Sequence, residues 1–244
     1  MEIPTQRAPR AARAARPAER PDRKQAILLA AEKLFAQHGY HAVSLRQIAE
    51  EAAVPLALVG YYYGQKHELF LAIFEHWSQT IDERLAALRA VPVDPADPRM
   101  LPGIVEAFIR PVLRLRASAE GEYYAKLVAR ELYHAREETD RVLRAYFDPM
   151  AEAFIDALHR ALPHVARSQV VWGYQFSLGA LLHHLSDSRV ARLSHGQNPP
   201  SDPAAGDLLA AFIAGGLRAA FPVPATASAP SPSTPRTPRK RRPA

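Results

Sequence analysis

Apolar residues recur every three or four positions along most of the chain, which is the spacing of helices that bury one face. The first such stripe lies within residues 27–35 and consists of Ile27, Ala30, Ala31, Leu34 and Phe35. The sequence between its two termini lacks the strict alternation of apolar and polar residues that is typical of a half-buried strand. The pattern therefore predicts an all-α protein.

Short polar motifs predict where the first two helices begin. Asp22 with Gln25, and Ser44 with Gln47, have the three-residue spacing of a capping box. In such a box the first side chain accepts hydrogen bonds from backbone N–H groups that have no partner inside the helix. Gly39 is typical of a helix C-terminus, so the first helix is expected to end at the preceding residue.

The second and third predicted helices, at 45–52 and 55–63, are too short to bury their apolar residues alone, so the first helix must cover them. Pro55 is expected as the first residue of the third helix, and Gly64 as its stop. A tri-helical unit with a tight turn between its last two helices is a helix-turn-helix. This arrangement predicts DNA binding, with the third helix in the major groove.

The remainder of the chain is also predicted to be helical. A long helix is expected over 66–90, and loops are expected at 91–98 and 194–203. Pro111 and Pro149 are expected to start or kink a helix. The later helices are placed at 100–117, 121–136, 138–162, 166–187 and 203–221.

The charge distribution changes how the high pI is interpreted. The formal net charge of the chain is +6, but residues 1–24 carry +4 and residues 222–244 carry +5, which leaves the body slightly acidic. The sequence 1–21 is rich in Ala, Arg and Pro, and the sequence 222–244 is rich in Pro, Ser and Thr; both are expected to be disordered. The first of these arms is either a solvated tail or an element that contacts phosphates or the minor groove.

Several classes of function are disfavoured by what the sequence lacks. There are no cysteines, and no apolar run approaches the ~20 residues of a membrane helix. No phosphate loop, G-x-S-x-G or H-E-x-x-H motif is present, so an enzyme is not expected. His183 and Asp187 lie four residues apart, but two ligands do not make a metal site. We expect a cytoplasmic protein with no cofactor, no metal and no membrane partner.

The stretch "AILLAAEKLFAQHGYHAVSLRQIAEEAAVPLALVGYYYGQKHELF" resembles the DNA-binding domain of the TetR family of bacterial transcriptional regulators. The resemblance covers residues 23–74 closely. It implies a helix-turn-helix domain at 22–68 and a helical ligand-binding and dimerisation domain at 69–221. Basic arms at 1–21 and 222–244 flank them.

The resemblance also implies which residues meet DNA. Ser44, Arg46, Tyr62 and Lys66 correspond to residues that contact phosphates, and Val59 and Tyr63 to residues that pack inward. The exposed part of the recognition helix is expected to comprise Pro55, Leu56, Ala57, Leu58, Gly60 and Tyr61.

This sequence departs from the family pattern at three positions. Ala53 stands where the turn usually has Gly, Gly60 where the recognition helix usually has Tyr, and Gln65 where the cap before Lys66 is usually Ser. The recognition helix is also free of charge, so base specificity is expected to depend on Tyr61, on backbone positioning and on DNA shape.

TetR-like regulators sense a small molecule in the C-terminal domain, and aromatic or apolar residues of the middle helices are the candidates here. Each candidate is either a ligand contact or ordinary core, and Arg110 or Arg130 is either a partner for an anionic ligand group or a surface residue. The mixture suggests a largely apolar effector. The candidates are Phe108, Tyr123, Tyr124, Leu127, Phe147, Met150, Phe154, Trp172, Phe176 and His183.

The last two long helices are expected to form the dimer interface. Leu208, Phe212 and Leu217 are expected on one apolar stripe, and a two-fold pair of such helices would make a four-helix interface. The whole then resembles a homodimeric repressor that binds a palindromic operator on the nucleoid and leaves it when an effector binds. The alternative is a TetR-fold protein that binds small molecules or lipids and does not bind DNA.

Overall fold

A computed structural model describes residues 22–119, 121–133, 137–200 and 202–223. These residues form helices and connecting loops, and none of them is in a β-strand. The all-α prediction is therefore confirmed for this part of the chain. The predicted arm at 1–21 lies outside the described residues, as does all but the first two residues of the predicted tail at 222–244.

The chain forms twelve α-helices within the described residues, together with one π-helical and one 3₁₀ segment. The π-helical segment, Leu143–Phe147, lies between α8 and α9, and the 3₁₀ segment, Pro203–Ala205, precedes α12. The helices are α1 Arg23–His38, α2 Leu45–Glu51, α3 Leu56–Tyr63, α4 Lys66–His76, α5 Ser78–Arg89, α6 Met100–Ala117, α7 Glu122–Tyr133, α8 Glu137–Val142, α9 Asp148–Ala161, α10 Arg167–Ser186, α11 Arg189–Leu193 and α12 Gly206–Ala220.

The helix starts that were predicted from local motifs are confirmed. The Asp22 carboxylate accepts hydrogen bonds from the backbone N–H groups of Lys24 and Gln25, at 3.0 and 3.2 Å. Ser44 and Gln47 form the expected capping box. The prediction that Pro55 is the first residue of the third helix is wrong. Pro55 is the N-cap of α3, in an extended conformation, and the first helical residue is Leu56.

Three of the longer helices differ from the prediction. The single helix expected over 66–90 is broken at Trp77 into α4 and α5. The helix expected over 138–162 contains the π-helical segment, and α9 begins directly after it with Pro149 in its first turn. The helix expected from 203 begins as a 3₁₀ turn and becomes α-helical only at Gly206.

The buried apolar residues form two clusters that correspond to two structural regions. One cluster is formed by residues of α1, α2, α3 and α4 together with Tyr124 and Leu127 of α7. The N-terminal helices therefore share a core with the larger body. The other lies among α6, α9, α10 and α12. Among the helices that the structure describes, none has the length and apolar character needed to span a membrane.

Candidate nucleic-acid interface and internal cavity

The turn between α2 and α3 contains one residue, Ala53, in the left-handed backbone conformation. Ala53 has a φ of 53°, and the following N–H of Val54 donates to the carbonyl of Ala49 at 3.0 Å. Ile48, Ala49 and Val59 are buried where the two helices meet. Ala53 thus adopts the backbone conformation for which glycine is usually selected. Because the side of α3 that carries Val59 is buried, its other side lies at the surface.

The outward side of α3 carries the two tyrosines that were predicted to face DNA. The side chain of Tyr61 is 79% exposed and that of Tyr62 is 37% exposed, and their rings meet edge to face at 5.1 Å. Pro55, Leu56, Ala57 and Gly60 are also exposed. The prediction that Leu58 is exposed is wrong, because Leu58 is half-buried and packs against the N-terminal core.

The third tyrosine of the run serves the fold. The Tyr63 hydroxyl donates a 2.8 Å hydrogen bond to the carbonyl of Lys24, which ties the end of α3 to the start of α1. Partial burial raises the pKa of Tyr63 to about 12. Val59 is fully buried. The inward assignment of Val59 and Tyr63 is confirmed by these contacts.

Ser44 lies at the start of α2, where its polar groups are already bonded within the chain. Its backbone N–H donates to the Gln47 side chain at 2.8 Å, and its hydroxyl accepts from the Gln47 N–H at 3.3 Å. A phosphate that bound the Ser44 N–H would therefore have to displace Gln47. Arg46, in the first turn of α2, has an exposed side chain.

Lys66 is half-buried and contacts the loop that precedes α2. Its Nζ donates a 2.7 Å hydrogen bond to the carbonyl of Val43 and lies 4.4 Å from the centre of the Tyr40 ring. The N–H of Gln65, just before α4, donates to the carboxylate of Glu68 at 2.6 Å. The ammonium of Lys66 thus supports the helix-turn-helix from inside the domain, in addition to any role it has toward phosphate.

A cavity of about 410 Å³ lies inside the larger body, which is a typical size for a small-molecule site. Side chains of α5, α6, α7, α9 and α10 and of the π-helical segment form its wall. Most of this wall is aliphatic. Its polar members are Thr80, Arg84, Tyr124, Asp148, Tyr174 and Gln175.

Three of the predicted effector residues, Tyr124, Phe147 and Met150, line this cavity. The other seven, all of them described, do not line this cavity, and their contact with an effector stays a prediction. Two are core rings, since Phe108 and Phe154 pack edge to face at 5.3 Å, and Leu127 is buried in the N-terminal cluster. Four lie toward the surface, namely Tyr123, His183, Trp172 and Phe176. Tyr123 lies beside Lys126, His183 contacts Asp187 at 3.2 Å, and Trp172 stacks on Phe176.

Arg84, which is not among the residues predicted from the sequence, is the cavity's basic residue. Its side chain is only 7% exposed, and its Nε and Nη2 are buried with no hydrogen-bond partner in the described part of the chain. Its guanidinium carbon lies 4.9 Å from the centre of the Phe108 ring. Burial lowers the pKa of Arg84 to about 10, so the group remains charged at neutral pH.

Arg110 and Arg130, each considered from the sequence as either a ligand partner or a surface residue, form contacts that join helices. Arg110 pairs with Glu106 and with Asp207, which joins α6 to α12. Arg130 donates to the carbonyl of His38 at 3.3 Å and so joins α7 to the end of α1. A signal for Arg84 existed in its position, because it lies on the helical face of Ile81 and Leu88, three residues before and four after.

An open apolar groove of about 600 Å³ lies along α10 and α12. Its large side chains project outward, with Trp172 63%, Phe176 71% and Phe212 69% exposed. Leu208 is similarly exposed on α12. Leu217 does not lie on the stripe predicted with Leu208 and Phe212, because it is 5% exposed. It packs over Gly173, where an added Cβ would lie 2.8 Å from Cδ2 of Leu217.

Two family models match this chain. The model for bacterial regulatory proteins of the tetR family matches residues 27–73, and the model for a tetracyclin repressor-like C-terminal domain matches residues 106–216. Together they span more than half of the chain, and they include α3 and most of the cavity wall. Both models describe regulators, which agrees with the expectation that the chain is not an enzyme.

Individual relatives agree with these models. The HTH-type transcriptional regulator RutR of Escherichia coli K12 is 41% identical over 68 residues, 28% of this chain and 31% of RutR. The HTH-type transcriptional repressor NicS of Pseudomonas putida is 34% identical over 83 residues, 34% of this chain and 38% of NicS. The chain thus spans about a third of the length of these curated relatives. A solved TetR-like transcriptional regulator from Rhodococcus sp. RHA1 superposes with a TM-score of 0.55 at 25% identity, over 82% of this chain and 98% of that one.

Proposed function

This chain belongs to the TetR family of bacterial transcriptional regulators, and from that premise we propose that it is a ligand-responsive repressor that binds a palindromic operator as a homodimer. The observation that carries the proposal is the division of α3. Val59 is fully buried and anchors the helix, while Tyr61 and Tyr62 project from its other side. A short helix held in this way can present its outer side chains to a major groove.

The proposed DNA contacts follow from the exposed chemistry of α2 and α3. Arg46 supplies a cation to a phosphate, and the hydroxyl of Tyr62 supplies a donor to another. Tyr61 is more exposed than Leu56 or Tyr62, and in this proposal it contacts base edges. Leu56 and Ala57 offer apolar contact to thymine methyl groups. Ser44 and Lys66 reach phosphate in this proposal only if their bonds to Gln47 and Val43 are shared or exchanged.

The proposed dimer uses the groove along α10 and α12. A contiguous apolar surface of this kind is unusual on a monomer, and a two-fold axis would bring the same helices of two chains together. The two α3 helices of such a dimer would enter successive major grooves, about 34–36 Å apart along the DNA.

The proposed effector site is the cavity that Tyr124 and Phe147 line. An effector can release DNA only if it binds better to the form whose recognition helices are wrongly spaced for the operator. The shared core of α1, α4 and α7 offers a physical route, since Tyr124 belongs both to that core and to the cavity wall.

The test is a gel shift with DNA from directly upstream of the coding sequence, over a series of salt concentrations. We expect binding at low salt that weakens steeply as salt rises, because phosphate contacts release counterions. Arg46→Ala and Tyr62→Phe should weaken binding by about tenfold each, the order of one charge-assisted or one neutral hydrogen bond. Arg192→Ala, which removes an exposed arginine from α11, is the matched control and should bind normally.

An absence of binding at low salt would overturn the proposal. The chain would then be better described by the alternative, a TetR-fold protein that binds small molecules or lipids without binding DNA.

A further inference from the structure

The cavity wall contains a buried cation without a counter-charge. Arg84 contributes to the wall, yet its Nε and Nη2 find no hydrogen-bond acceptor in the described part of the chain. Its contacts are instead with aromatic rings, at 4.9 Å from Phe108 and 5.6 Å from Phe154. An unpaired buried charge is costly for a fold, so its presence calls for a partner that these residues do not supply.

Other arginines of the body are neutralised by carboxylates. Arg110 pairs with Glu106 and Asp207, and Arg167 pairs with Glu152 and Asp156. Arg84 forms no ion pair with any described residue. The carboxylate that shares its cavity, that of Asp148, belongs to an exposed residue at the start of α9 and forms no ion pair with Arg84.

The free donors of Arg84 suit a planar anion. A guanidinium presents parallel N–H groups that match the two oxygens of a carboxylate, and such pairs are strongest where water is excluded. The hydroxyl of Tyr124, at the same wall, is buried without a partner of normal hydrogen-bond geometry, although the Thr80 side chain lies near enough to influence it. A bound carboxylate could accept hydrogen bonds from both residues.

The rest of the wall requires an apolar body. Ile81, Val112, Leu178 and Leu182 are among the aliphatic side chains that face the cavity. The volume of about 410 Å³ corresponds to about fourteen water-sized units of ~30 Å³, which is enough for a small amphiphile. Asp148 adds negative charge to the wall and disfavours a second anionic group on the ligand.

We propose that the effector is a small amphiphilic monoanion whose carboxylate pairs with Arg84 and whose apolar body fills the aliphatic remainder of the cavity. The inference rests on the proposed function in that it takes this cavity as the effector site. It goes further by assigning the ligand a single negative charge and by naming the residue that selects it.

The test is calorimetric titration of the full chain with two acids and their neutral counterparts. Octanoate is compared with octanamide, and 4-phenylbutyrate with 4-phenylbutanamide, so the two pairs separate acyl from aromatic ligands. We expect at least one acid to bind at least tenfold more tightly than its amide. Arg84→Met, which preserves length without charge, should abolish this preference, and Arg84→Lys should retain part of it.

Leu178→Ala is the matched wall variant without a change of charge. It should weaken the acid and its amide by the same factor, so that the preference for the acid remains. An equal affinity of acid and amide for the unaltered protein, failure of both acids to bind, or an acid preference that survives in Arg84→Met would each overturn the proposal.

A gel shift without ligand separates this inference from the proposed function. A chain that prefers the acid but does not bind DNA keeps the Arg84 site and loses the regulator function. A chain that binds DNA but does not prefer the acid loses only the Arg84 proposal.

Discussion

The indole Nε1 of Trp77 donates a 2.7 Å hydrogen bond to the carboxylate of Glu32, which is 1% exposed. The same indole stacks on the ring of Tyr124 at 5.3 Å. Glu32 belongs to α1, Trp77 to the break between α4 and α5, and Tyr124 to α7 and the cavity wall. One buried polar group thus lies where the N-terminal domain meets the larger body.

Burial of Glu32 predicts that stability falls as the pH rises. Desolvation raises its pKa from 4.5 to about 7, and the hydrogen bond from Trp77 offsets only part of that effect. Below pH 4.5 the folded and unfolded states both hold the proton. Between about pH 4.5 and 7 only the folded state keeps it, so this group's contribution is lost as pH rises through that range, by on the order of 3 kcal/mol.

Glu32→Gln should remove this pH dependence, because a glutamine stays neutral and can still accept the bond from Trp77. In urea unfolding at pH 8, we expect the variant to be more stable than the unaltered protein by up to about 3 kcal/mol, and at pH 4.5 by little. Glu75→Gln, at an exposed position of α4, is the matched control. A Glu32→Gln variant that is less stable at pH 8 would show that the carboxylate is charged and satisfied.

Ala53→Gly should stabilise the turn between α2 and α3. Ala53 has a φ of 53°, a left-handed conformation that costs a residue with a Cβ about 1–2 kcal/mol. Glycine avoids that cost but gains freedom in the unfolded chain, so we expect a net gain of about 0.5–1 kcal/mol in thermal or urea unfolding.

Gly39→Ala is the opposite control for this experiment. Gly39 has a φ of 86°, and an added Cβ would lie 2.7 Å from Nη2 of Arg130, so the variant should be clearly destabilised. If Ala53→Gly were destabilising as well, the left-handed geometry at the turn would be incorrect.

Gly60→Ala should separate the stability of α3 from its fit to DNA. Gly60 lies in the interior of α3, and an added Cβ would meet no described atom within 4 Å. We expect the helix to gain about 0.5–1 kcal/mol in stability. Because the added methyl group lies on the exposed surface of α3, a changed operator affinity in gel shifts would place that surface against DNA. An unchanged affinity would argue that the groove contacts lie elsewhere.

Local signals explain which features the sequence could predict. The starts of α1 and α2 depend on Asp22 and Ser44 and their neighbours three residues on, and the structure has both caps. The outward position of Tyr61 follows from the burial of Val59 two residues earlier on a helix of 3.6 residues per turn.

Features that depend on contacts between residues distant in sequence could not be predicted, because no local motif marks them. The break at Trp77 lies where this residue bonds to Glu32 and stacks on Tyr124, both more than 40 positions away in sequence. Arg84 stands in the polar segment "IDERLAALR", where an arginine is usually at the surface. Its burial follows from how α5 packs with α6 and α9, and the local indication of it is the helical face that it shares with Ile81 and Leu88.

Phe176→Asp should dissociate the proposed dimer. Phe176 is 71% exposed and stacks at 5.8 Å on Trp172 within the groove of α10 and α12. Burying one phenylalanine contributes roughly 1.5–3 kcal/mol, and a two-fold interface would count that contribution twice. The dimer dissociation constant should therefore rise by at least about a hundredfold, since ~1.4 kcal/mol is a factor of ten.

Light scattering with size-exclusion chromatography measures this change, and Leu193→Asp on α11, at a residue that is 70% exposed, is the matched control. We expect Phe176→Asp to elute as a monomer with unchanged helical content and to bind operator DNA weakly, because each half-site is then bound alone. The control should remain a dimer with normal affinity. A Phe176→Asp variant that remains dimeric would move the interface away from α10 and α12, and with it the expected spacing of the two recognition helices.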